Sequence, residues 1–268
     1  MTFTLGPRAT SAGYRLEAFD QVGSTNAEAM ARAREGDRGS IWFVTAEQTA
    51  GKGRRQRAWI SPRGNLPCSV LEVLRVAPAI AATLGFAAGL ATEAVLRKVS
   101  LEAALRSGPE SFKYELKWPN DVLVGGRKLV GISLDAEAVD EHLAVVAGIG
   151  INVVAAPEGT PTPAISLAAV GVQIGAEELF SVLSDSWVEF RGIWDNGRGF
   201  GQIRKLWLER ATGLGQAVAI KSAGSSIEGI FETIDAQGCM IVRTPAGQLM
   251  PITAGDVYFG SAASAGAA

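Results

Sequence analysis

The chain has 268 residues, 47% hydrophobic and 19% charged, which is enough length and apolar content for one large core and a second small one. A formal net charge of -2 excludes a general attraction to nucleic acid or to an anionic membrane, so any basic function has to be local. The two cysteines, Cys68 and Cys239, and the single histidine, His142, do not assemble a zinc site, and the isolated thiols read as small buried hydrophobes in a reducing compartment.

Residues 1–10 have no basic stretch followed by an apolar core, so no secretory signal is expected and the location expected is the cytoplasm. Residues 14–20 alternate weakly, as a short strand does. Thr25, followed three residues later by Glu28, has the form of a capping box with Thr25 as N-cap, and predicts a helix to about Gly36. Residues 40–48 (SIWFVTAEQ) are rich in β-branched and aromatic side chains and predict a strand. Residues 49–65 break every periodicity, carrying Lys52, Arg54, Arg55, Arg57 and Arg63 with three glycines and no acid. A strand over 66–73 and a helix over about 79–98 follow.

The uncharged stretch 76–92 invites a membrane reading. Pro78 opens it, Gly85 and Gly89 interrupt it, alanine dominates it, and it falls short of the roughly 20 residues a spanning helix needs. A buried helix packing a small-residue face closely on a sheet is expected instead, with no membrane.

Residues 112–118 predict another strand. The run DVLVGGRKLVGISL predicts a hairpin turning at Gly125-Gly126, where the turn requires positive φ. The nearly continuous apolar run 143–154 predicts a central strand. Leu179, Leu183, Trp187, Phe190 and Trp194 share one face at helical spacing, and a further helix over about 201–211 stops at Gly213. Beyond Gly215 only short strands separated by glycine-containing turns are present. The expected architecture is α+β: a mixed, largely antiparallel sheet with flanking helices over 1–213, a small SH3-like β barrel over 214–260, and a disordered tail over 261–268.

Three segments carry candidate chemistry. In AGKGRRQRAW (50–59) like charges repel unless an anion is present, and glycines let backbone N–H groups approach one. The P-loop pattern fails at Ala46 and Gly53 and the dinucleotide pattern at Gln56, so the loop reads either as a solvated basic surface or as an anion site. In Lys117-Trp118-Pro119-Asn120-Asp121 the lysine closes a strand beside a rigid turn. It is either a turn residue paired with Asp121 or a fixed ammonium suited to negative charge building on phosphate. Ser24-Thr25-Asn26 either starts the helix or recognises a neutral polar group such as a urea.

Taken in order, STN, EQ-x-AGKGRRQR-x-W-x-SP-x-GN, KWPND, RKLVGI and GIGIN resemble the biotin protein ligases over residues 23 to about 153, with the match continuing to about 260. The resemblance implies a class II synthetase-like fold and ATP-dependent transfer of biotin, through biotinyl-5'-AMP, to a lysine of a biotin carboxyl carrier protein, with Mg2+ assisting and no DNA bound. It implies that Ser24, Thr25, Asn26 and Gln48 meet the biotin head group, and that Lys52, Gly53 and Arg54 close over its carboxylate and valeryl chain. Arg55 and Lys117 would hold carboxylate and α-phosphate. Trp59 would be the adenine platform, with Asn120, Lys128 and Asn152 at the nucleotide or its metal, and Gly148 and Gly150 leaving backbone exposed in the pocket floor. Arg54 falls at the junction of the biotin and ATP sites.

Two positions depart from the usual GRGRRGR loop. Lys52 keeps charge without the planar fork of arginine, and Gln56 replaces a glycine. Only about two dozen residues precede STN, too few for the helix-turn-helix domain some members carry, so a monofunctional ligase is expected. The competing readings are a lipoate or octanoate protein ligase of the same fold, against which the KWPND and basic-loop pair argues, and a non-catalytic nucleic-acid-binding module, which the acidic charge disfavours.

Overall fold

The computed structural model describes residues 2–53, 57–107, 112–160, 162–222 and 225–259. In chain order it contains α1 (Pro7–Ser11), β1 (Arg15–Val22), α2 (Thr25–Arg34), β2 (Gly39–Gln48), β3 (Leu66–Leu74), α3 (Pro78–Ala82) and α4 (Leu84–Ser107). Then come β4 (Tyr114–Lys117), β5 (Asp121–Val124), β6 (Arg127–Val139), β7 (His142–Ile151), α5 (Ala176–Trp194) and α6 (Phe200–Leu208). The strands form a seven-stranded sheet in the order β1-β2-β3-β7-β6-β5-β4, with β1 parallel to β2 and every other pair antiparallel. The expected mixed, largely antiparallel sheet is present, and the apolar run at β7 is central to it.

Alternation along the strands divides the core in two. Ile41 and Phe43 of β2, Leu71 of β3, and Ala144 and Val146 of β7 face α2 through its Ala29, Met30 and Ala33. Trp42, Val70 and Val145, one residue out of phase, face the larger layer of α4, α5 and α6. There Trp42 meets Phe180 and Trp187 of α5 edge to face, with ring centroids 5.5 and 5.9 Å apart. The α5 face read from the sequence is buried at all five positions.

Glu72, pointing to the same layer, is 4% exposed and is held by three neighbours. Tyr14 Oη and Trp187 Nε1 donate to its Oε1 at 2.6 and 3.2 Å, and Arg191 Nε lies 3.4 Å from its Oε2. Burial first, and then the Glu72 charge, raises the Tyr14 phenol, which stays protonated and able to donate. Removing the carboxylate leaves Arg191 uncompensated. Glu72→Ala should therefore cost about 3–5 kcal/mol of stability, read as a lowered urea midpoint with an unchanged slope.

Two local expectations are corrected. Ser24 is the N-cap of α2, with extended backbone (φ -156°) and an Oγ that accepts from Ala27 N at 3.4 Å. Thr25 is the first helical residue, so the Thr25–Glu28 box does not form. The Thr25 hydroxyl is drawn instead to partners on the sheet. The helix expected over 79–98 is two helices broken at Thr83, whose Oγ1 donates to Ile80 O at 2.6 Å and accepts from Trp194 Nε1 at 2.7 Å. The second of them runs on to Ser107, since residues 99–107 contain no breaker. Among the described residues one stretch, Pro78–Leu105, is long and apolar enough to cross a membrane, but 72% of its most apolar window is buried within the protein. Its glycines explain why: a Cβ at Gly85 would lie 3.1 Å from Leu134, and one at Gly89 would lie 3.5 Å from Leu116, both on strands of the sheet.

The C-terminal strands β8 (Ala217–Ser222), β9 (Ser225–Ile234), β10 (Met240–Arg243), β11 (Leu249–Ile252) and β12 (Asp256–Phe259) form a separate antiparallel sheet in the order β11-β10-β9-β8-β12, the expected SH3-like module. Arg204 of α6 ties this sheet to the larger body by donating to Ile234 O and to Thr233 Oγ1. The tail expected over 261–268 lies outside the described residues.

Candidate active site

The α2 face of the central strands changes character along its length. Where α2 covers it the side chains are apolar; beyond the N-terminus of α2 they become small or polar. In register across the sheet, Ser69 of β3 pairs with Gly148 of β7, which pairs with Ser133 of β6. Two residues further on, Pro67 pairs with Gly150 and Gly150 with Gly131. Gly148 and Ser133 of the first row and Pro67, Gly150 and Gly131 of the second line a cavity of about 310 Å³, with Ser69 behind them.

Asn26 sits on the first row. Its Nδ2 donates to Asp135 Oδ2 at 2.7 Å and Ser133 Oγ at 3.2 Å, and its Oδ1 accepts from Ser69 Oγ at 2.6 Å. A Cβ on Gly148 would fall 2.1 Å from that Oδ1, so the position has to be glycine. Beside it, Thr25 Oγ1 is 2.6 Å from Ser69 Oγ, and Gln48 Oε1 accepts from Thr25 N at 2.9 Å. Trp59 sits on the second row. A Cβ on Gly150 would lie 2.3 Å from its Nε1, and one on Gly131 would lie 2.8 Å from its Cζ3. Gly148 and Gly150 both line the floor, and each also admits a side chain, Asn26 or Trp59, against the sheet.

The cations lie at the Trp59 end. Lys128 Nζ is 5.4 Å from the centre of the Trp59 ring and 2.7 Å from Asp121 Oδ1. Lys117 closes β4, and its Nζ donates to Thr162 Oγ1 at 3.4 Å. The Asp121 side chain thus pairs with Lys128, although Asp121 is the register partner of Lys117 in the β4–β5 hairpin. Burial, with the like charge of Lys128, pulls the Lys117 ammonium below the ordinary lysine range, and Asp121 and Asp256 oppose the shift. The turn that follows is fixed on both sides. Trp118 is buried and donates through Nε1 to Gly238 O at 3.1 Å, the Trp118–Pro119 bond is cis, and Asn120 pairs through its backbone O and Nδ2 with the backbone of Ile132. Asn152, 1% exposed, donates to Ile165 O at 3.2 Å, while its Oδ1 has no hydrogen-bond partner among the described residues.

The described part of the basic segment is less uncompensated than its sequence implies. Gly53 N donates to Arg57 O and Trp59 N to Gly51 O at 2.8 and 2.9 Å, and Lys52 bridges Ala58, so the described part folds back on itself. Arg57 forms a two-pronged pair with Asp256 of β12 at 2.6 and 3.3 Å, and Arg63 pairs with Asp20 and Glu47. The acids missing from the segment come from elsewhere in the chain. Arg54 and Arg55, both expected at the site, lie outside the described residues.

Every other residue singled out lines the one cavity: Ser24, Thr25, Asn26, Gln48, Lys52, Gly53, Trp59, Lys117, Asn120, Lys128, Gly148, Gly150 and Asn152. Gly131, Ser133, Thr162 and Asp256 also line it and were not expected. The spacing of Gly131 and Ser133, two apart like Gly148 and Gly150, was the signal available for the first pair. Asp256 carried none, because it arrives from the other sheet.

Residues 19–152 match the biotin/lipoate A/B protein ligase family and residues 213–260 match the biotin protein ligase C-terminal domain. The chain is 37% identical over 244 residues to the biotin–[acetyl-CoA-carboxylase] ligase of Paracoccus denitrificans, covering 88% of this chain and 97% of that one. It is 35% identical over 254 residues to the Mycobacterium tuberculosis protein of the same name, covering 93% and 90%. The solved biotin protein ligase of Aquifex aeolicus, in complex with biotin and ATP, shares the fold with a TM-score of 0.72 at 24% identity, over 92% of this chain and 98% of that one. With both parts of the chain matched and nearly the whole length of two relatives covered, the protein belongs to the biotin protein ligases.

Proposed function

We propose that the chain biotinylates a carrier protein in two steps within this cavity. A carboxylate oxygen of biotin attacks the α-phosphorus of ATP, the bond to the bridging oxygen breaks, and pyrophosphate leaves biotinyl-5'-AMP behind. The amine of a lysine, on a biotin carboxyl carrier domain of acetyl-CoA carboxylase, then attacks the acyl carbon. That nitrogen loses its proton, AMP leaves, and an amide remains.

The observation that carries the reading is the pair of rows on one floor: a polar cluster around Asn26, and an aromatic ring with two lysines beside it. Ser24, Thr25, Asn26 and Gln48 then take the ureido head. Lys52, Gly53 and Arg54 close over the chain and carboxylate, and Gly148 and Gly150 give the acid and its neighbours room. Trp59, Asn120, Lys128 and Asn152 take the nucleotide, and Arg55 and Lys117 hold the reacting carboxylate and α-phosphate. A carboxylate is already ionised at neutral pH, so the first step requires cations and no base.

The oxygen of Asn152, buried without a partner among the described residues, and the Asp121 carboxylate in the same cavity are hard donors of the kind Mg2+ takes. Bound with the triphosphate, the ion would disperse charge on the phosphates. We assign residues 1–213 to the ligase body and 214–260 to a second domain, and place the protein in the cytoplasm, a location its two free cysteines support.

With ATP and magnesium, biotin should trigger pyrophosphate release, and added carrier should become biotinylated. Absence of biotin-dependent release ends the reading. The second row supplies a separate expectation. Gly131→Ala puts a Cβ 2.8 Å from Trp59 and 3.2 Å from Lys128, and overpacking of that kind costs about 1–3 kcal/mol. The KM for ATP should rise about tenfold, with biotin affinity within about twofold of the parent. Equal losses for both ligands would argue against Trp59 as the nucleotide platform.

A further inference from the structure

Ser69 lies behind the head-group end of the cavity, 0% exposed, in hydrogen-bond contact with both Thr25 and Asn26. Proton counting fixes the direction of those contacts. The Asn26 amide nitrogen faces the Asp135 carboxylate, an acceptor, at 2.7 Å, so its oxygen faces Ser69 at 2.6 Å. An amide oxygen only accepts, and a serine hydroxyl has one proton, so that proton points at Asn26. Thr25 Oγ1 is 2.6 Å from Ser69 Oγ, a separation at which two hydroxyl oxygens repel unless a proton lies between them. Only Thr25 has one left to give. Its alternative acceptor, Gln48 Oε1, is farther at 3.2 Å and already receives the Thr25 backbone N–H at 2.9 Å.

Thr25 is therefore left with lone pairs alone for a ligand. Ser24 has the opposite character: its Oγ accepts from Ala27 N at 3.4 Å as the helix cap, which leaves its proton for the cavity. A donor and an acceptor on adjacent residues match a carbonyl and the N–H next to it. We infer that Ser69, which does not touch the ligand, is a positioning residue that sets this polarity, so that Thr25 selects a ligand N–H beside the carbonyl taken by Ser24. The inference rests on the functional reading above and names what gives its head-group end selectivity.

The test compares biotin with the two cyclic carbamates in which one ring N–H or the other is replaced by oxygen. Binding is measured by calorimetry and turnover by pyrophosphate release. In the parent, a carbamate oxygen facing Thr25 sets acceptor against acceptor, so at least one isomer should bind about tenfold or more below biotin. In Ser69→Ala the Thr25 proton keeps only the longer contact to Gln48 Oε1, which is already shared with the Thr25 backbone N–H, and can turn outward. Biotin should weaken about five- to tenfold, that carbamate little or not at all, and their ratio should narrow by at least about fivefold. The KM for ATP and kcat at saturating biotin should stay within about twofold, which a general structural defect would not allow. Asp135→Asn, at an exposed position, frees the Asn26 amide to reverse and should narrow the ratio in the same direction even if Ser69→Ala does not fold. An unchanged ratio in either folded variant, or an equal loss toward ATP, overturns the inference. A parent that neither binds biotin nor releases pyrophosphate with it removes the functional reading as well, whereas biotin-dependent release by the parent with unchanged selectivity in the variants removes the inference alone.

Discussion

Lys117→Ala should keep measurable biotin binding and lose at least about 100-fold in the rate of biotinyl-adenylate formation, the scale of removing one preorganised electrostatic stabiliser. Lys117 suits that work because it cannot swing away. It ends β4, and the next residue, Trp118, is buried and tied to Gly238 in the turn between β9 and β10. Burial already disfavours its charge, so a phosphate oxygen arriving nearby relieves an existing cost. The same fact gives a pH signature. The active form is the ammonium, and its pKa is lowered, so adenylation should decline on the alkaline side at a lower pH than an ordinary lysine would dictate. Lys117→Arg, whose guanidinium does not titrate there, should remove that alkaline limb even if its rate is low. Single-turnover adenylate formation across pH at subsaturating ATP, which reports the unliganded ammonium, is the measurement. A parent-like rate in Lys117→Ala would take Lys117 out of the chemistry.

Biotin should be preferred over octanoate or lipoate by at least two to three orders of magnitude in specificity constant. The far end of the cavity is a connected polar set: Gln48, Thr25, Ser69, Asn26, Ser133 and Asp135. An alkyl tail there supplies no partner for the Ser24 and Thr25 groups that face the ligand, and each buried polar group left unpaired costs about 1–3 kcal/mol. Two such groups already reach the predicted ratio at about 1.4 kcal/mol per tenfold. Acid-dependent pyrophosphate release with each acid measures it. Comparable specificity constants for biotin and octanoate would refute both this assignment and the choice of biotin over a fatty acyl substrate.

The misread cap of α2 and the apparent lack of counter-charges at Arg57 and Arg63 have one physical origin. Thr25-Asn26-Ala27-Glu28 satisfies the capping pattern, and local spacing therefore favours Thr25 as the cap over Ser24, which has Ala27 three residues on. Ser69 decides between them from 44 residues away, by holding the Thr25 hydroxyl against the sheet. In the same way Arg57 and Arg63 read as uncompensated in the basic loop, because Asp256, Asp20 and Glu47 lie outside it in sequence. Hydrogen bonds and ion pairs between distant segments leave no local pattern.

The sequence by itself determined what depends on spacing. Runs of β-branched, aromatic and apolar residues marked β2, β3 and β7, and the period near 3.6 marked the buried face of α5. Paired glycines gave the β5–β6 turn, with φ of 55° and 74°, and an ordered series of short motifs gave the family. Only the tertiary structure decided which small residues make the floor, because strand register sets Ser69 and Ser133 on either side of Gly148, and Pro67 and Gly131 on either side of Gly150. It also decided what rests on that floor, since a glycine in a strand leaves a space whose occupant, Asn26 or Trp59, comes from another part of the chain. It decided, finally, that the second sheet belongs to the site: β12 carries Asp256 to the cavity across nearly two hundred residues of chain, a distance that no pattern in the sequence spans.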